Sequence, residues 1–260
     1  MEADRELLLA GVSHDLRTPI TRLRLEVELA SLPDDSRAAM VSDLEQMENI
    51  VNQFLSYARH SHEKQELVNL GEAAQAAMDN ARLASDPTVK LTCDIASHVY
   101  VVAHPLELSR AIQNLFTNAM RYGRDENGLL TLHVHVTTDK NGQEAIISVG
   151  DEGPGLPEDQ RERVMRPFER GESARSGVTG TGLGLAIVDR IVRRSGGSVT
   201  LGEMNPTGLL VRIAFPSTTP EVEKAKAEKR QKAEERRQKE QEKLEKKLEK
   251  KLLKEQKPSD

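Results

Sequence analysis

GTGLGLAIVDRIV, residues 180–192, sets three glycines at every second position directly before a run whose apolar residues recur at helical spacing. Gly180, Gly182 and Gly184 leave backbone N–H groups uncovered where a helix begins, and such an N-terminus is a natural seat for phosphate. Thr181 and Leu183 lie between them and join the same candidate site. The spacing is not the Gly-x-Gly-x-x-Gly of a dinucleotide fold, and the stretch lies late in the chain instead of after an opening strand. A glycine string alone is a weak signal, so its weight depends on what precedes it.

Three further elements precede it in a fixed order. RPFERG (166–171) places Phe168 as the expected anchor of a polar loop. DEGPG (151–155) follows the strand-like AIISVG: Asp151 can accept a hydrogen bond from an exocyclic amine such as that of adenine, and Gly153 and Gly155 let the backbone pass close to a flat base. The plainer reading is a surface turn. NLFTNAMRYG (114–123) puts Asn114 and Asn118 four apart on one helix face. Asn118 offers a hard amide oxygen suited to Mg²⁺, which takes few protein ligands; the plainer reading is that such asparagines bond backbone. The ordered set, Asn-x-x-x-Asn, Asp-x-Gly-x-Gly, Phe, then Gly-x-Gly-x-Gly, is far more specific than any member.

Near the start, SHDLRTP (13–19) lies inside a helical pattern. His14 and Thr18 are i and i+4, and Arg17 is i+3. A carboxylate beside an imidazole can hold the ring proton on one nitrogen and leave the other lone pair free, so Asp15 makes His14 a candidate nucleophile. Arg17 can offset phosphoryl charge, Thr18 can orient a water, and Pro19 removes one helix hydrogen bond and bends the helix. Alone, the segment also reads as an ordinary helix histidine before a helix end.

The rest of the chain supplies the frame. Residues 5–30 carry Leu9, Val12, Leu16, Ile20, Leu23 and Val27 on one stripe, SLPDDS (31–36) reads as a turn, and residues 37–59 carry Leu44, Met47, Val51, Phe54 and Ala58. Two helices cannot bury both stripes alone, so a dimeric four-helix bundle is expected. HSHEKQE (60–66) reads as a linker. Helices are then expected at 71–84, 105–121, 158–164 and 183–195, and strands at 89–95, 99–103, 130–136, 145–150, 198–202 and 209–215, with a DKNG turn joining the third and fourth strands. That mixture predicts an α/β sandwich. The domains expected are 1–62, 67–216 and a charged tail, 217–260.

Residues 221–257 hold 15 Lys and Arg against 10 Glu, whereas residues 1–220 hold 22 basic against 31 acidic residues. The acidic body makes nucleic acid a poor partner. The tail reads as a solvated helix or weak coiled coil with Leu244, Leu248 and Leu252 as a narrow stripe; a polybasic surface site is the sharper alternative. Cys93, the single cysteine, reads as a small buried thiol. His133 and His135 share a strand face without an evident third ligand, and His60, His62, His98 and His104 read as solvated. No apolar stretch long enough to span a membrane occurs.

AGVSHDLRTPITRLRL (10–25), DEGPGLPEDQR (151–161) and RGESARSGVTGTGLGLAIVDRIV (170–192) resemble the histidine kinase family, whose catalytic domain is shared with Hsp90, gyrase B and MutL, and look closest to its osmosensing members. The resemblance covers residues 1–216. It implies His14 as phosphoacceptor, Asp15 as its acid–base partner and Thr18 in dephosphorylating the partner. It implies Asn114 and Asn118 as Mg²⁺-ATP asparagines, Tyr122 lining the nucleotide site, Asp151 on adenine, the glycines of 180–184 around the phosphates, and residues 169–179 as a lid over ATP. A homodimer, an OmpR-type response regulator as partner, and a place on the cytoplasmic side of a bacterial inner-membrane sensor follow from the same resemblance. Met165 stands where the family has the first Phe of a Phe-x-Pro-Phe box, and the missing sensor part fits a piece of a longer protein. The rival from another class is a nucleotide-gated dimer that changes shape without phosphotransfer; the intact His14 and Asp15 argue against it.

Overall fold

The computed structural model describes residues 2–58, 64–171, 180–229, 231–232 and 237–238, with the backbone alone for 2–14, 49 and 56–58. It forms two compact units, Met1–Ser217 and Thr218–Asp260.

Helix α1 (Glu2–Leu29) and helix α2 (Asp34–Ala58) make the expected hairpin, with Pro19 inside α1. Arg37 closes the turn between them by donating to the carbonyls of Ala30 and Leu32. Arg17 Nη2 donates to Asn52 Oδ1 at 3.0 Å, and Arg24 Nη2 meets Glu45 Oε1 at 3.2 Å, so seven residues forward on α1 match seven back on α2. This is an antiparallel register. Ile20, Leu44 and Leu55 are buried, but Leu16, Leu23, Met47 and Phe54 remain 37–48% exposed, more apolar surface than a lone hairpin hides.

Strand β1 (Glu66–Asn69) pairs antiparallel with β3 (Tyr100–Ala103). The sequence reading ends its linker at 66 and assigns no strand there. Asn69 then caps helix α3 (Leu70–Asn80), its Oδ1 accepting from the N–H of Gly71 and Glu72 while its Nδ2 donates to Glu72. α3 ends four residues before the expected 84. Arg82 turns left-handed (φ 53°), and a 3₁₀ turn, Leu83–Ser85, drops Leu83 fully into the core.

Five strands form one mixed sheet in the order β2 (Val89–Ile95), β4 (Leu130–Thr138), β5 (Glu144–Asp151), β7 (Leu209–Pro216), β6 (Ser198–Glu203). β2 runs parallel to β4 and the other pairs are antiparallel. Helix α4 (Pro105–Tyr122) lies in the β2-to-β4 crossover; α5 (Glu158–Val164) and α6 (Gly184–Arg194) follow β5. Alternation sends Leu132, Val134 and Val136, Ala145, Ile147 and Val149, and Val211, Ile213 and Phe215 inward. They meet Leu108, Ala111, Ile112, Leu115 and Phe116 of α4 and Ile187, Val188, Ile191 and Val192 of α6 in one aliphatic core.

Two expectations are corrected. Cys93 is exposed because β2 is an edge strand; its Sγ lies 3.6 Å from Met78 Sδ, and partial burial raises its pKa. His104 is buried at 7% exposure as the N-cap residue of α4, and its Nδ1 has no hydrogen-bond partner among the described residues. His133 and His135 pair with Glu152 (2.8 Å) and Asp94 (3.0 Å), and no group of three metal-ligating side chains occurs among the described residues.

In the second unit, residues 220–229 are helical and mostly exposed, started by Thr219, whose hydroxyl accepts from the N–H of Val222. The leucine stripe at 244–252 lies outside the described residues. None of the described helices is long and apolar enough to cross a membrane.

Candidate functional site

A cavity of about 460 Å³ opens beside α4 and α6, within the range of ligand sites. Asn114, Asn118 and Tyr122 reach it from successive turns of α4, Asp151 and Gly155 from the end of β5 and the loop after it, and Thr181, Gly182 and Gly184 from the loop that starts α6. Apart from Phe168, the elements of the ordered set therefore converge in space. Gly180 stands against the Tyr122 hydroxyl; Leu183 is fully buried beneath the loop.

Asp151 is the last residue of β5, on the inward face that carries Ala145, Ile147 and Val149. It is thus the polar end of an apolar row, 7% exposed. Its Oδ1 accepts from the N–H of Gly153 (3.1 Å) and Leu209 (3.3 Å). Desolvation raises its pKa, and the two N–H donors oppose the rise without cancelling it.

Gly153, Gly155 and Gly182 are required by the protein's own backbone. A Cβ on Gly153 would lie 2.6 Å from the carbonyl carbon of Gly123, the C-cap of α4, so the loop after β5 crosses directly over the end of that helix. Gly155 (φ +72°) packs on Gly208. Gly182 (φ +69°) accepts from the Phe168 N–H at 3.0 Å, and a Cβ there would meet Glu169 O at 2.7 Å. A Cβ on Gly184 would lie 2.8 Å from Asn118 Oδ1, so the start of α6 rests on that amide. The close approach to a base expected of Gly153 is, in the fold, a close approach to Gly123.

Asn114 does what the plainer reading holds: its Nδ2 donates to Arg110 O at 2.9 Å. Asn118 lines the cavity and carries the amide oxygen suited to a hard cation. Phe168, the expected anchor of the polar loop, is not held in the sheet core. Its ring is 59% exposed, its backbone is left-handed (φ 67°), and the ring lies against Phe54 of α2, centroids 6.4 Å apart. Of the expected lid, residues 172–179 lie outside the described residues.

On the hairpin, His14 sits within α1, its side chain outside the described residues. Asp15 and Thr18 are exposed, and Arg17 is tied to Asn52 of α2. The hairpin register sets His14 level with Leu55, less than one helical turn from Gln53. Gln53 itself lines the cavity and accepts a hydrogen bond from the Thr181 hydroxyl. Sequence reasoning missed it, since nothing local marks a glutamine on α2 as a neighbour of a loop 128 residues away. It also missed Arg121, Arg124 and Arg170 on the cavity wall.

Comparison with known proteins gives the same two parts. Residues 4–63 match the His Kinase A (phospho-acceptor) domain, and residues 103–219 match the histidine kinase-, DNA gyrase B- and HSP90-like ATPase. The sensor protein RstB of Escherichia coli is 31% identical over 224 residues, covering 82% of this chain and 49% of its own length. The sensor histidine kinase GtrS of Pseudomonas aeruginosa is 36% identical over 217 residues, 82% of this chain and 42% of its own. The chain thus spans just under half the length of these relatives. Full-length ShkA, solved in complex with AMPPNP, superimposes with a TM-score of 0.64 at 22% identity, over 82% of this chain and 46% of that one.

Proposed function

The chain belongs to the sensor histidine kinases of two-component systems, and we propose that it transfers the γ-phosphoryl group of ATP to His14 and then to an aspartate of a response regulator. The neutral imidazole attacks the γ-phosphorus through its unprotonated nitrogen. The bond from that phosphorus to the β–γ bridging oxygen breaks, and ADP leaves with the electron pair. Asp15 holds the proton on the other ring nitrogen, which fixes the tautomer. Asp151 receives the adenine amine, and the N–H groups of 180–184 receive the phosphates. Mg²⁺, when bound at the Asn118 amide oxygen, neutralises phosphate charge; Asn118 fits it as a cavity-lining hard donor beside the phosphate loop.

The observation that carries this reading is one of level: the cavity's phosphate end touches α2 at Gln53, within one turn of the height of His14. The apolar surface left on the hairpin supports a homodimer, and Thr18, four residues beyond His14, supports dephosphorylation of the regulator by the same helix. The likeness of residues 10–25, 151–161 and 170–192 to the osmosensor EnvZ carries the narrower readings: an OmpR-type partner, and a kinase portion lying on the cytoplasmic side of an inner-membrane sensor. Domain limits of 1–62, 67–216 and 217–260 complete the proposal. Incubation with γ-labelled ATP and Mg²⁺ tests it. Acid-labile, base-stable label on the wild type and none on His14→Gln is expected; a stable dimer that binds ATP and never takes label would favour the gated binding module.

A further inference from the structure

The Thr181 hydroxyl has one proton to give. Its oxygen accepts from the N–H of Leu183 at 3.3 Å, which orders the turn into α6, and its proton goes to Gln53 Oε1 on α2. Thr181 stands between Gly180 and Gly182, in the loop assigned above to the phosphates. A second contact holds the same two segments together, the Phe54 ring against the Phe168 ring, and Phe168 N–H is itself bonded to Gly182 O. Phe168 sits in a left-handed conformation that a bulky residue adopts only when its surroundings enforce it. Adjacent residues of one helical turn, Gln53 and Phe54, thus grip both strands of the chain that form the phosphate end of the cavity.

We propose that Gln53 is a positioning residue that competes with a nucleotide phosphate oxygen for the Thr181 proton, so that docking of the hairpin and full engagement of the phosphates exclude each other at one atom. The proposal rests on the nucleotide reading of the cavity. Since one donor serves one acceptor at a time, each partner weakens the other by the same factor. A single neutral hydrogen bond sets that factor at about two- to tenfold. The adenine end, at Asp151, is untouched by the exchange. A nucleotide carrying phosphates therefore loosens the hairpin from Thr181, and a bare nucleoside does not.

The test measures equilibrium binding of AMPPNP and of adenosine to the full chain. Gln53→Leu keeps helix propensity and removes the acceptor; Gln53→Glu keeps an acceptor and makes it a charged, stronger one. The expected result is AMPPNP binding about two- to tenfold tighter in Gln53→Leu and weaker than wild type in Gln53→Glu. Adenosine affinity is equal in all three, and Thr181→Val erases the gain seen in Gln53→Leu, which depends on the Thr181 proton alone. A residue that merely supports the fold would shift both variants in one direction. AMPPNP affinities equal to wild type in both variants, or weakened in both, overturn the competition while leaving the nucleotide site standing. No binding of AMPPNP or adenosine by any form, wild type included, overturns the nucleotide reading itself and the proposal with it.

Discussion

Gly153→Ala is the substitution that most sharply separates backbone crossing from backbone flexibility. The added Cβ would lie 2.6, 2.7 and 2.8 Å from the carbonyl carbon, Cα and oxygen of Gly123. Ordinary contact begins near 3.4 Å, so the end of α4 and the loop after β5 must part by about 1 Å, with backbone on both sides and no flexible side chain to yield. Gly153 has no positive φ, so no torsional cost enters. Forced overpacking of this kind costs about 1–3 kcal/mol, or a fall in Tm of about 2–12 °C for a domain of this size. Gly142→Ala is the control. Its φ is +68° with nothing within 4 Å, so it costs about 1–2 kcal/mol by torsion alone, in the turn before β5, at the opposite end of that strand from Asp151. Both variants should melt lower. Only Gly153→Ala, which moves Asp151 on one side and Tyr122 on the other, should weaken AMPPNP binding, by about tenfold for each 1.4 kcal/mol transmitted. Thermal melts paired with calorimetric titration read both quantities. A Gly153→Ala protein with wild-type Tm and wild-type affinity would falsify the crossing.

Other outcomes follow from the same geometry. Asp151→Asn keeps the acceptor for Gly153 and Leu209 but removes a buried charge. Because the folded-state pKa of Asp151 is raised, its favourable contribution is complete below the ordinary carboxylate pKa and is lost as pH rises through the folded value. Denaturant melts should therefore show the wild type gaining on the Asn variant as pH falls below neutral, while AMPPNP binding is lost in the variant. Ile147→Ala, at a fully buried site of the central strand, should cost about 2–5 kcal/mol by chemical denaturation. Leu23→Glu with Met47→Glu should leave nucleotide binding intact and convert a dimer to a monomer in sedimentation, since both residues lie half-exposed on the single hairpin. Thr18→Ala should slow loss of phosphate from a phosphorylated regulator without lowering label uptake at His14.

What the sequence made legible was local and periodic. The hairpin, α4, α6, and the alternating strands β4, β5 and β7 are written in residue spacing, and the turn at 139–142 in Asp139, whose carboxylate holds the N–H groups of Gln143 and Glu144. β1 was hidden because four residues are too few to show alternation. Its end was nonetheless signalled by Asn69 and Glu72, a cap spaced as caps are. The break after Asn80 could not be read, because apolar spacing continues through Leu83 while the chain leaves the helix to bury that residue. The candidate site divides the same way. The types and order of Asn118, Asp151 and Gly182 announced themselves. What the glycines face did not: Gly153 answers to Gly123 and Gly155 to Gly208, and such pairings exist only once the sheet is folded. Phe168 could be read as the anchor of a polar loop, but not that its ring would rest on Phe54 of α2, since that pairing joins segments more than a hundred residues apart.

Central to the proposed mechanism is transfer of phosphate to His14 from nucleotide held in the cavity between α4 and α6. Peptide mapping by mass spectrometry at neutral pH, after incubation with ATP and Mg²⁺, measures that directly. The predicted result is one phosphoryl group, on the peptide bearing His14 alone, and none in Asn118→Ala. Phosphate on a serine or threonine, or full modification of His14 in Asn118→Ala, would contradict it.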